Sequence, residues 1–465
     1  MSATTPSPAG AVVGRLRETF DSGATKPLSW RLAQLDALDR MLVAHTGDLE
    51  AALAADLGKP PVESVLSEIG VLRSEIAHVR KNLRGWLEPR RVAVPWQYQP
   101  ARASLVLEPL GVMLIIAPWN YPVLLLLGPL VGALAAGNTA VLKPSEQAPQ
   151  TAATIARLVP RYVAGVEVVT GAVPETTALL EQRFDHIVFT GGARVARVVM
   201  AAAAEHLTPV TLELGGKSPV WVDGTTDLPA AARQIAWASF LNAGQTCVAP
   251  DYVMAPPDVA RRLAPLLAEA VTEMYGPDPS ASPDLGRIVS VAHAERLTGL
   301  VTASVAAGAR VVAGGQAEPA QRYVAPTVLA DVGLDSPVMA EEIFGPVLPI
   351  VPVADVDAAI RVIRAGEKPL ALYAFTDDGV ARARLLRDTS SGSVVFDAAL
   401  IQASMPTLPF GGVGGSGMGA YHGEESVRRF SHAKPVVRKP LRPATLAAIR
   451  PPFTRLRRSL IRRLF

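Results

Sequence analysis

Gly111-Val112-Met113-Leu114-Ile115-Ile116-Ala117 is an unbroken apolar run that stops at Pro118. A strand with one wet face alternates apolar and polar residues, whereas a strand covered on both faces does not. Thr139-Ala140-Val141-Leu142 repeats the pattern and is closed by Lys143-Pro144. Further short runs stand at 166–169, 187–189 and 210–214, with helical or turn-forming stretches between them. Strand and helix in alternation predict a parallel, doubly wound α/β sheet. The alternation begins again at Lys217 and continues to about Val395, which predicts a second α/β domain.

Upstream, residues 11–88 read as helical. Leu35, Leu38, Met41 and Leu42 recur at helical spacing, as do Leu49, Leu53 and Leu57. Pro60-Pro61 breaks the pattern, and a second helical stretch runs from about Glu63 to Trp86. Prolines and alternating residues over 89–109 predict an extended arm. Residues 1–10 read as a proline-rich tail of small residues, without the basic and apolar regions of a secretory signal. The most apolar stretch, 123–136, is interrupted by Gly128, Pro129 and Gly132 and is short of the roughly 20 residues a membrane span needs. It is expected as a buried core helix.

The chain has 465 residues, of which 49% are hydrophobic and 19% charged. That is enough apolar surface for two or three globular domains. Its formal charge is +3, yet residues 434–465 hold ten Lys/Arg and no Asp/Glu. The remainder carries 35 Lys/Arg against 42 Asp/Glu. The basicity therefore belongs to the tail, and a nucleic-acid-binding body is disfavoured. The seven histidines are scattered and none has zinc-ligand spacing with a cysteine, so no metal is expected.

A single cysteine, Cys247, stands in Asn242-Ala243-Gly244-Gln245-Thr246-Cys247. It cannot form a disulfide within the chain and fits a reducing, cytoplasmic compartment. A lone thiol is more often an inert core residue, but small and polar neighbours make a poor apolar socket and a good exposed turn. Thirty-four residues earlier Glu213 stands between Leu212 and Leu214, just before Gly215-Gly216. A thiol that attacks and a half-buried carboxylate that takes a proton suit covalent acyl transfer. Phe189-Thr190-Gly191-Gly192-Ala193-Arg194 follows a strand and opens a helix, where amides suit a pyrophosphate, although it is not a full G-x-G-x-x-G. Lys143 and Glu146 at a strand end could grip ribose hydroxyls, with Ser145 as a helix cap the equal alternative. Asn120, held between Pro118 and Pro122, is a fixed amide donor or part of a rigid turn. Glu341-Glu342 beside Phe344-Gly345 is by itself an ordinary acid pair.

Taken together, PWNYP (118–122), GNTAVLKPSE (137–146), FTGG (189–192), LELGGKSP (212–219), GQTC (244–247), EEIFGP (341–346) and LPFGG (408–412) resemble the NAD(P)-dependent aldehyde dehydrogenase superfamily over residues 11–440. KPLALYAF (368–375) and GMGAYHG (417–423) look like its class 3 branch. The resemblance implies a Rossmann-like cofactor domain (1–95 and 111–214), an α/β catalytic domain (215–415), a small oligomerisation arm with a C-terminal segment (96–110 and 416–440) and a basic tail (441–465). It implies Cys247 as nucleophile, the Asn120 side chain with the Cys247 amide as oxyanion donors, and Glu213 as the base that activates water. Trp119, Lys143, Glu146, Gly191, Gly192, Glu342 and Phe344 would bind NAD, with NADP as the alternative coenzyme. Ala196 and Gly192 depart from residues common in the family, which leaves the pyrophosphate contacts open. The expected reaction oxidises a medium- or long-chain aliphatic or an aromatic aldehyde to its acid in a homodimer. An acylating enzyme that releases a thioester, or a catalytically idle homologue, are the alternatives.

In the tail, Phe453, Leu456, Leu460, Ile461, Leu464 and Phe465 fall on one helical face and most of the arginines on the other. Such a helix cannot cross a bilayer. It is expected either on an anionic membrane surface or packed on a partner subunit or left disordered.

Overall fold

The computed structural model describes residues 7–464, and among them three larger sheets organise the chain. The first has six strands in the order Gly417–Met418, Val210–Leu214, His186–Gly191, Val112–Ile116, Thr139–Lys143 and Val166–Val168. All its pairs are parallel except that of 417–418 with 210–214. The second has seven, in the order Arg310–Ala313, Thr327–Ala330, Val347–Pro352, Tyr252–Ala255, Pro219–Val222, Ala371–Phe375 and Ser393–Phe396. Only the 310–313 edge is antiparallel. The third is an antiparallel ribbon of Arg90–Val92, Arg102–Pro109 and Ser431–Arg438.

The unbroken run at 112–116 has its explanation in two-sided burial. Val112, Leu114 and Ile116 join a core with Val13, Leu16, Phe189 and Val199 on one face. Met113 and Ile115 join the larger core beneath helix Leu124–Ala136 on the other. Burying each such side chain contributes about 1.5–3 kcal/mol, so neither face tolerates a polar residue. The expected buried helix is this 124–136 element, packed against helices Leu28–Ala44, Gly70–Trp86 and Gly423–Arg429.

Residues 1–6 of the expected N-terminal tail lie outside the described residues. Helix begins at Pro8 rather than after residue 10, because Ser7 accepts a hydrogen bond from Gly10 N at 3.1 Å and proline suits the first turn. The break at Pro60-Pro61 is present, and helix restarts at Pro61–Ser64, widens into a π turn at Val65–Ile69 and continues to Trp86. The tail forms helix Arg455–Leu464 with Leu456 exposed. Phe465 lies outside the described residues. No described helix is long and apolar enough to cross a membrane.

Candidate active site

In an open α/β sheet the ligand crevice lies beyond the carboxyl ends of the strands, where strand order reverses. The chain runs outward from strand 112–116 through 139–143 to 166–168, then returns to lay 186–191 on the other side of 112–116. The loops leaving Ile116 and Gly191 therefore face one crevice. Trp119 and Asn120 come from the first, Thr190, Gly191, Gly192 and Arg194 from the second, and they line a cleft of about 610 Å³. Helix Ala193–Glu205 opens there at Gly192 with no side-chain cap, so its amino end is available to an anion.

Cys247 reaches this cleft from a strained turn. Asn242, Ala243 and Gly244 take φ of 56°, 52° and 72°, three left-handed residues in succession. Gly244 has no alternative, since a Cβ there would stand 2.3 Å from the Gly345 carbonyl oxygen. Such a turn persists only when its surroundings over-determine it. Asn242 Nδ2 donates to Asn120 O at 2.9 Å and to Gln245 O at 3.2 Å. Gln245 donates to Asn242 O and Arg287 O and accepts from Val289 N. Tyr121 and Thr246 hydroxyls meet at 2.6 Å. The same network holds Asn120, whose Nδ2 donates to Gln245 O at 3.0 Å. Its Oδ1 is buried without a hydrogen-bond partner.

Glu213 is 1% exposed at the end of strand 210–214, and neither carboxyl oxygen makes a hydrogen bond within normal geometry. Burial pushes its carboxyl up to about 7, and the nearby Cys247 thiol and Thr190 hydroxyl offset this only in part. The half-buried Cys247 thiol is itself pushed well above its usual range by burial, with the Glu213 and Glu342 charges adding to the effect. Glu342 sits against Gly215, where a Cβ would stand 2.2 Å from its Oε2. Burial and the Asp251 charge push its carboxyl up to about 8. Lys217 holds that loop in place, pairing with Asp251 and donating to Val338 O and Glu341 O.

On its far side Cys247 lines a second cavity of about 250 Å³. Its walls are largely apolar, with Leu66, Val71, Leu124, Trp237, Leu400 and Phe410 among them. The thiol thus stands at the junction of a polar cleft and an apolar tunnel. Such a junction leaves one sulfur reachable from two sides.

The family model described as aldehyde dehydrogenase family matches residues 1–436. The chain belongs to the aldehyde dehydrogenase family. It is 49% identical over 427 residues to aldehyde dehydrogenase family 3 member B1 of Homo sapiens, covering 91% of this chain and 90% of that one. To the aldehyde dehydrogenase of Rattus norvegicus named dimeric NADP-preferring it is 47% identical, covering 92% and 94%. The substrate-bound state of Staphylococcus aureus AldH superposes with a TM-score of 0.94 at 40% identity, covering 98% and 99%. This dehydrogenase therefore oxidises an aldehyde to the carboxylic acid with NAD(P).

The cleft fits that coenzyme. An uncapped helix amino end suits the pyrophosphate, Trp119 and Phe344 meet edge to face at 5.4 Å, and Thr190 Oγ1 is buried without a partner. Of the residues expected from the sequence, Cys247, Glu213, Asn120, Trp119, Gly191, Gly192, Glu342 and Phe344 line the cleft together. Lys143 and Glu146 stand outside it at the end of the next strand. Lys143 donates to Pro144 O and Gly171 O at 2.8 and 2.7 Å, and Glu146 lies 3.9 Å from its amine. Sequence reasoning missed Arg194, His293 and Arg296 on the cleft wall. It also missed Tyr421 and His422 in the tunnel, although the GMGAYHG stretch that carries them was visible.

Proposed function

We propose that Cys247 is the nucleophile of this dehydrogenase, Asn120 the oxyanion donor and Glu213 the base of the hydrolytic step. The observation that carries the reading is the placement of Cys247 where cleft and tunnel meet, beside a carboxyl with no partner of its own. The Cys247 sulfur attacks the aldehyde carbon, giving a thiohemiacetal whose oxygen is held by the Asn120 side-chain amide and the Cys247 N–H. One such donor contributes about 3–4 kcal/mol to the barrier reduction. NAD(P) held in the cleft by Trp119, Gly191, Gly192, Glu342 and Phe344 would supply the hydride acceptor for this carbon, and Cys247 would be left as a thioester. Glu213 then takes a proton from the water that hydrolyses it, a task suited to a carboxyl held near neutrality. A releasing acyltransferase has less need of that base, and an idle homologue has no need of the whole set.

Trp119, Phe344, Gly191 and Gly192 would shape the coenzyme site, Glu342 would hold the nicotinamide ribose, and Lys143 with Glu146 the adenosine ribose. An ionised Glu146 accepts from ribose hydroxyls and repels a 2′-phosphate, which favours NAD over NADP. The apolar tunnel supports medium- or long-chain aliphatic or aromatic aldehydes as substrates. Residues 1–95 and 111–214 would form the cofactor domain and 215–415 the catalytic domain, with 96–110 and 416–440 as the oligomerisation arm and C-terminal segment. That arm would join two copies of the chain, since strand 431–438 is exposed along most of its length and forms one edge of its ribbon. The enzyme would work in the cytoplasm, with the basic 455–464 helix resting on an anionic membrane surface.

Cys247→Ala tests the central claim. Turnover should vanish while coenzyme binding changes less than about twofold, because the change removes only a sulfur from the cleft wall and none of the groups that would hold the coenzyme. A variant that kept a tenth or so of wild-type turnover would exclude covalent catalysis.

A further inference from the structure

Two charged side chains wholly shielded from solvent lie beneath the Asn120 loop. Lys59 and Glu68 are each 0% exposed, and Lys59 Nζ donates to Glu68 Oε1 at 2.5 Å. The same amine donates to the main-chain oxygen of Asn120 at 3.1 Å and lies 4.2 Å from the centre of the Tyr121 ring. Glu68 Oε2 accepts from the amides of Val123 at 2.8 Å and Leu124 at 3.1 Å. One ion pair therefore grips the 120–124 segment at both ends, with the cation on a carbonyl and the anion on the amides that begin helix 124–136.

Stability is a poor reason for such a pair. Desolvating both charges is expensive, and apolar residues of similar volume often serve a fold as well or better. What an apolar pair cannot supply is direction, and here the three hydrogen bonds beyond the pair's own all go to the 120–124 segment that carries Asn120. Glu68 also sits in the π turn 65–69. Such turns are rare and concentrate at functional sites. Leu66 and Ser67, the two residues before it, line the tunnel on the aldehyde side of Cys247. Oxyanion loop and tunnel wall are thus built on one distorted turn.

We propose that the Lys59–Glu68 pair is a positioning element of the oxyanion donor, acting with the Asn242 and Gln245 contacts to fix the Asn120 main chain so that its side-chain amide meets the charge that develops on the aldehyde oxygen. Neither group touches the substrate. The inference rests on the oxyanion role proposed for Asn120, and its test separates the two.

The test is a cycle of four enzymes: wild type, Lys59→Met with Glu68→Gln, Asn120→Ala, and all three changes together. Single-turnover hydride transfer is followed by NADH absorbance with aldehyde and NAD saturating, alongside NAD affinity and the thermal midpoint. The neutralised pair should slow hydride transfer at least about tenfold in the wild-type background, since a donor displaced by a fraction of an ångström loses much of its effect. NAD affinity should move less than about twofold. In the Asn120→Ala background the same pair of changes should cost less than about twofold, because the group it positions is gone. Equal losses in both backgrounds, or no loss in the first, would overturn the proposal. If Asn120→Ala alone leaves hydride transfer at the wild-type rate, the oxyanion reading itself fails. Should the neutralised pair not fold, Glu68→Gln alone keeps an oxygen for the helix amides and is read through the same cycle with the same outcomes.

Discussion

At the scale of single residues, Glu213 is the most exacting case, because burial gives it two opposed consequences. In the role proposed for it Glu213 must be ionised, and a carboxyl held near 7 becomes so only as pH rises through that value. Turnover limited by thioester hydrolysis should therefore climb between about pH 6 and pH 8. In Glu213→Gln that limb should disappear, leaving a burst of one NADH per site followed by slow release. A normal steady-state rate in the variant would assign the water to another group. The same shift works against the fold. A carboxyl whose pKa is raised on folding keeps its proton longer in the native state, so its contribution to stability falls as pH rises from the unfolded value near 4.5 through about 7. Glu213→Gln should accordingly melt higher than wild type at pH 8 and nearly with it at pH 5. Glu213 and Cys247 were legible in the sequence because each is chemically out of place, an acid between leucines and the only thiol. Lys59 and Glu68 were not, because in a sequence a buried ion pair looks like two surface charges.

At the scale of elements, the turn before Cys247 shows how much local strain the site carries. Gly244→Ala adds a Cβ in a left-handed conformation and against the Gly345 carbonyl. The change should destabilise by about 1–3 kcal/mol and reduce the NADH burst amplitude, both measurable by urea unfolding and rapid mixing. Unchanged stability and burst would mean that the turn relaxes freely and that its geometry is not needed. The strands of the first sheet were legible because two-sided burial leaves no polar residue to blur the run. The start of the first helix was not, since small residues and prolines compose helix openings and loose tails alike. Nor could the sequence show that 417–418 returns to pair beside Glu213, because a two-residue strand has no periodicity to read.

At the scale of the whole molecule, the tunnel was the least legible feature. Its wall is assembled from segments near residues 66–71, 121–125, 237–248, 400–410 and 421–422, and their apolar side chains look like ordinary core until the fold brings them round a void. The basic helix poses the opposite problem, being plain in the sequence yet touching little but the 445–449 turn beside it. Deleting residues 450–465 should leave turnover of a short, soluble aldehyde unchanged. The same deletion should abolish co-sedimentation with anionic liposomes at low salt. Full-length protein that fails to co-sediment would remove the membrane role.

Leu66 and Ile401 belong both to the tunnel wall and to the exposed surface, so the passage is a sleeve open at its outer end. A sleeve grips only the length of rod inside it. Each methylene within should tighten the Michaelis constant about three- to fourfold, the equivalent of roughly 0.8 kcal/mol, and each one beyond should add nothing. Plotted against carbon number, the constant should fall and then level while single-turnover hydride transfer stays flat. The carbon at which it levels would measure, with a ladder of straight-chain aldehydes, how far Cys247 lies from open water. A constant that rose sharply past some length would mean that the sleeve has a floor.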